Sequence, residues 1–137
     1  MFLKINRETK IILIWLIVAV SFLYADHIYQ VTLGPHGGLV KAVKPFHIEL
    51  RTANHSLFAY LLDADKKALP NIGLHCDGRI QYPDGTSSYI KFIPFEKEGF
   101  IAQAISNTYS SCEIIMYLRN RSIKASFDNN QLFVSKK

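Results

Sequence analysis

The chain reads as an all-β protein, an immunoglobulin-like antiparallel sandwich of about 7–8 strands behind an N-terminal signal segment. Three observations predict it. Apolar and polar residues alternate with period two through most of the chain after residue 38. Clusters of Pro, Gly, Asn and Asp part these runs at roughly 8 to 12 residue spacing, as in sandwiches and barrels. Beyond the first 25 residues, no segment has the spacing of an amphipathic helix.

The first element, residues 1–25, is a targeting segment rather than part of the fold. Lys4, Arg7 and Lys10 precede an apolar run from Ile11 to Tyr24, which ends at the small residue Ala25. A basic start, a short apolar stretch and a small residue at its end describe a signal peptide. Cleavage would leave Asp26 as the first residue. The alternative is an uncleaved inner-membrane anchor, although a spanning helix takes roughly 20 apolar residues. Both readings place residues 26–137 in the periplasm as a single domain.

Strands are expected at 39–43, 46–52, 56–63, 74–82, 87–94, 110–118 and 121–128, with 99–104 as an eighth. In the second, Phe46, Ile48 and Leu50 alternate with His47, Glu49 and Arg51, so the polar three share one face. Asp63-Ala64-Asp65-Lys66-Lys67 closes the third. Pro83-Asp84-Gly85-Thr86 predicts a hairpin, because Asp-Gly accepts the positive φ that such turns demand. Arg119-Asn120-Arg121 is a tight link between the last two long strands, and Leu132-Phe133-Val134 offers a short strand near the end. The tryptophan that marks the core of true immunoglobulin domains is missing from this region, so the likeness is one of architecture.

Removing the leader takes away Lys4, Arg7, Lys10 and Glu8, which leaves 13 basic and 10 acidic residues and a net charge of +3. That charge is mild and scattered, which argues against nucleic acid as a partner. Cys76 and Cys112 both fall in register with core-facing apolar residues. In an oxidising compartment an inward pair on packed strands predicts a disulfide, with two free buried thiols as the alternative.

The candidate chemistry lies near the start of the exported part. His36 is flanked by Pro and Gly in Gly34-Pro35-His36-Gly37-Gly38, which leaves its imidazole accessible. His47 and Glu49 project from one strand face. Two imidazoles and a carboxylate suit a divalent transition metal such as Cu, Zn or Ni, so His36, His47 and Glu49 form the candidate ligand set. The plainer reading makes the His47 and Glu49 face a solvated one and His36 a turn residue. His55 and His75 read as surface residues, and His27 lies in the new N-terminus. No Gly-x-Ser-x-Gly, HExxH or phosphate-loop pattern occurs, which argues against an enzyme.

Several of these residues together resemble a known family. Pro35-His36-Gly37-Gly38-x-Val40, His47-x-Glu49-Leu50, Tyr60-Leu61-x-Asp63 and the Lys67, Pro70 turn are similar to the small periplasmic β-sandwich module of bacterial heavy-metal efflux systems. That module also forms the N-terminal part of some efflux membrane fusion proteins. The resemblance spans residues 34 to 128 and implies a non-enzymatic component of a cation-efflux complex. The chain lacks the hairpins and long helices of a full fusion protein. With Met1 and Met116 as its only methionines, a thioether-rich Cu(I) site is disfavoured. The two cysteines fall outside the family pattern. A second reading is an interaction domain that binds no metal and docks on an envelope partner through exposed aromatics such as Tyr29, Tyr82 and Tyr109.

Overall fold

In the computed structural model, residues 32–103 and 109–129 are described, and they form nine strands in two antiparallel sheets. The elements are β1 (Leu39–Val43), β2 (Phe46–Ala53), β3 (Ser56–Leu62), β4 (His75–Gln81), β5 (Ser87–Lys91), β6 (Ile93–Phe95), β7 (Gly99–Ala102), β8 (Ser111–Leu118) and β9 (Arg121–Asp128). The leader and the 132–134 strand expected from the sequence lie outside the described residues. No helix among the described residues is long and apolar enough to cross a membrane.

One sheet runs β1-β2-β3-β7-β6 and the other β5-β4-β8-β9. Setting β1 aside, β2-β3-β7-β6 against β5-β4-β8-β9 reproduces the order A-B-E-D against C′-C-F-G of immunoglobulin-type sandwiches. The alternation that predicted the strands also builds the core. Ile48, Leu50, Leu57, Leu61 and Phe100 from the first sheet meet Cys76, Ile80, Ile114, Met116 and Phe127 from the second. Phe100 and Phe127 are the largest fully buried side chains, each contributing about 1.5–3 kcal/mol by removal from water.

Local chemistry sets the turns. Asn54 and His55 adopt φ values of 50° and 62°, the type I′ geometry that matches strand twist in a two-residue hairpin. A cis Lys44–Pro45 peptide joins β1 to β2. At Pro83-Asp84-Gly85 the Tyr82 N–H donates to Thr86 O, the Gly85 N–H donates to Tyr82 O, and Gly85 takes φ +89°. Asp84 Oδ1 accepts from the Thr86 backbone N–H at 2.9 Å and its hydroxyl at 2.6 Å, which holds the Asp84 carboxyl below its ordinary range.

One expected strand divides. Residues 87–94 become β5, paired with β4, and β6, paired with β7 in the other sheet. Phe92 lies between the two and is buried in the core, so the chain crosses from sheet to sheet there. Pro94 then falls on an edge strand, where its missing N–H costs no ladder bond.

The expected disulfide is corrected. Cys76 and Cys112 do face the core, but on neighbouring strands of the same sheet, and both are free. Cys76 sits opposite Met116, and Cys112 opposite Ile80, an offset of four residues along the ladder. At roughly 3.3 Å per residue that separates them by about 13 Å, well beyond the roughly 7 Å limit for a bridge. Burial pushes both thiols up, Cys112 to about 12, with the neighbouring carboxylates of Asp77 and Glu113 adding to it. A thiol count without reductant is therefore expected to find no reactive cysteine in the native chain and two after unfolding. A count of zero after unfolding would restore the bridge.

Candidate functional site

The Gly34–Gly38 segment folds as the same kind of three-residue hairpin loop as Tyr82–Thr86. Gly37 N–H donates to Gly34 O at 3.0 Å, Gly34 N–H to Gly38 O at 2.9 Å, and Gly37 takes φ +79°. Pro in the first loop position and Gly in the third are common to both. The loop folds onto the outer face of the five-stranded sheet, above Glu49 on β2 and Tyr60 on β3, which are register partners.

Glu49 is fully buried. Its Oε2 accepts from the backbone N–H groups of His36 at 3.0 Å and Gly38 at 2.9 Å, and its Oε1 lies 2.7 Å from His36 Nδ1. A buried carboxylate is tolerable only when donors replace its lost water, and here two amides and an imidazole do so. The glycines leave room for this nest. A Cβ on Gly38 would lie 2.6 Å from the Leu50 carbonyl oxygen, and one on Gly34 would press on the Glu49 carboxylate itself.

The imidazole of His36 lies flat on the Tyr60 ring, with centroids 3.7 Å apart and planes 5° from parallel. Gly99 stands opposite Tyr60 on β7, where a Cβ would lie 2.7 Å from the tyrosine ring. The other imidazole nitrogen, Nε2, lies 3.5 Å from Glu98 Oε2. Glu98 belongs to the turn between β6 and β7, which Asn71 holds in place. The Asn71 side chain donates to Glu96 O at 3.1 Å and Gly99 O at 2.9 Å, and its backbone N–H to Lys97 O at 2.9 Å. His36, Tyr60 and residues 96–99 line an open cleft of about 580 Å³.

Of the three expected ligands, the fold brings two together. His36 and Glu49 converge, but His47 does not join them. The strand alternation does put His47 and Glu49 on one face, yet His47 pairs with Leu62, two rungs further along, and its Nδ1 lies 3.0 Å from Asp63 O. No group of three or more His, Cys, Asp or Glu side chains suited to a metal ion occurs among the described residues. The set His36, His47 and Glu49 is therefore corrected. Glu49 cannot serve as an outward ligand because both its oxygens are engaged by the loop. The solvated reading of its strand face fails as well, since the loop seals that face above Glu49.

Other expectations sort cleanly. His55 and His75 are exposed. Tyr109, expected as an exposed contact, is buried, with burial pushing its hydroxyl up to about 12. Tyr82 is half-buried, and Tyr29 and His27 lie outside the described residues. Tyr60 and Glu98 are the site residues that sequence reasoning missed. Tyr60 carried a signal, because the β2–β3 hairpin register sets it directly opposite Glu49. Nothing local marks Glu98.

Chemically, the Glu49 carboxylate engages Nδ1 and so assigns the ring proton to that nitrogen. Nε2 is then the ring nitrogen left facing the cleft. Carboxylates hold metal-binding imidazoles in this way, fixing tautomer and orientation. Among the described residues that line the cleft there is no Ser, Thr or Cys. Comparison with family models, curated proteins and solved structures finds no match to this chain. The fold and the site thus define an antiparallel β-sandwich in which a buried glutamate holds a half-buried histidine, stacked on tyrosine, at a cleft lined by Glu96, Lys97 and Glu98.

Proposed function

We propose that this chain is an exported, non-enzymatic binding module that takes up a divalent transition-metal cation in the His36 cleft, in support of cation efflux. One observation carries the reading. His36 is locked by Glu49 on one side and by Tyr60 beneath, and its remaining nitrogen faces the cleft 3.5 Å from the Glu98 carboxylate. An imidazole nitrogen and a carboxylate oxygen at that separation suit a shared ion whose bonds to each run about 2.0–2.2 Å. The donor pair fits a borderline cation such as Zn(II), Cu(II) or Ni(II), with water completing the coordination. Two protein donors give capture and exchange rather than permanent storage, as a component that hands a cation onward requires. Glu49 has the positioning part, and His36 and Glu98 hold the ion.

The test is calorimetric titration of the full chain with each of the three cations. His36→Ala is expected to abolish binding. Glu98→Gln should weaken it by about tenfold, and His47→Ala should leave it unchanged. Binding that survives His36→Ala undiminished would refute this site.

A further inference from the structure

The outer face of the four-stranded sheet, on the far side of the sandwich from the His36 cleft, carries a second arrangement. One rung crosses all four strands as Tyr89, Arg79, Glu113 and Ser126. Tyr89 is 75% exposed, with the Arg79 guanidinium 5.9 Å from its ring centroid. Beside it Arg79, Gln81, Ser111, Glu113 and Ser126 line a small cleft of about 70 Å³. That volume admits about two water-sized groups.

The polar groups of this cleft are under-used. Among the described residues, Arg79 Nε is buried without an acceptor, and the one hydrogen bond of its guanidinium runs to Ser87 Oγ at 3.3 Å. Glu113 stands directly opposite Arg79 in register, yet no ion pair joins them among the described residues. Gln81 is exposed; its Oε1 accepts from the Ser111 hydroxyl at 3.4 Å, and its amide N–H donors have no protein acceptor among the described residues. The cleft therefore offers guanidinium and amide donors, a carboxylate acceptor, and hydroxyls that do both.

That mixture selects the ligand. A phosphate or carboxylate would meet the Glu113 carboxylate, and an ammonium would meet Arg79. A sugar hydroxyl donates and accepts at once, so it satisfies both groups. The neighbouring exposed aromatic ring supplies an apolar platform for the C–H face of a pyranose. We infer that this face binds a neutral polysaccharide chain, with hydroxyls of one sugar seated in the Arg79–Glu113 cleft and an adjoining ring stacked on Tyr89.

The experiment is native affinity electrophoresis of the full chain, run toward the cathode in gels containing a soluble β-glucan, a galactomannan or an N-acetylglucosamine polymer. At least one polymer is expected to retard the wild-type chain. Tyr89→Ala and Arg79→Ala should each raise the apparent Kd by about tenfold. His36→Ala should migrate as wild type, which separates this surface from the cation cleft. Tyr89 is a surface residue, so its variant keeps the fold and the test holds even if Arg79→Ala does not. Absence of retardation in all three polymers overturns the proposal. So does retardation that survives Tyr89→Ala, or that inorganic phosphate abolishes by occupying an anion site.

Discussion

Glu49→Ala is expected to cost the fold about 3–5 kcal/mol, the largest effect of any single substitution near the site. The side chain is fully buried and accepts from two backbone amides and an imidazole. Its removal leaves the His36 and Gly38 N–H groups facing a cavity, each at a desolvation cost of about 1–3 kcal/mol. The loop then loses its anchor on the sheet, and His36 loses the partner that orients it. Glu49→Gln keeps the volume and should cost less, since one amide oxygen still accepts while the NH₂ group faces a donor. Urea unfolding followed by circular dichroism measures both. A loss below about 1 kcal/mol for the alanine variant would show that the carboxylate is not what holds the loop.

Gly34→Ala should destabilise by about 2–3 kcal/mol although it adds only a methyl group. The new Cβ would lie 2.5 Å from Glu49 Oε2 and 2.8 Å from Oε1. A carboxylate held by three donors cannot step aside without breaking them. The diagnostic outcome is non-additivity. With the carboxylate gone, the methyl group enters vacated space, so the Gly34→Ala/Glu49→Ala double variant should be more stable than the sum of the single losses implies, by about 1 kcal/mol or more. Simple additivity in that cycle would mean the methyl group clashes with something other than Glu49.

Much of the architecture was legible because its causes are local. The alternation of Phe46, Ile48 and Leu50 with polar neighbours, and the Asn54-His55 and Asp84-Gly85 turns, are written in adjacent residues. The division of 87–94 was not legible. Both halves keep the same alternation, and the crossing at Phe92 depends on which neighbour each half finds. The cysteines show the same boundary. Their inward facing followed from period two, but their offset along the ladder follows from the register of β4 against β8, set by distant pairings.

The site divides in the same way. Pro-x-Gly occurs at 35–37 and again at 83–85, so the loop that presents His36 could be read by analogy with the hairpin after β4. Where that loop lands could not. Glu49 alternates with apolar residues just as His47 does, and nothing near it in the chain separates the sealed carboxylate from the imidazole that turns to Asp63. Steric and hydrogen-bonding preferences between near neighbours act in any context, so strand, turn and facing were decided by the residues alone. Burial of Glu49, the approach of Glu98 and the separation of the two thiols arise from contacts between segments far apart in the chain. Those exist only once both sheets have closed on a common core.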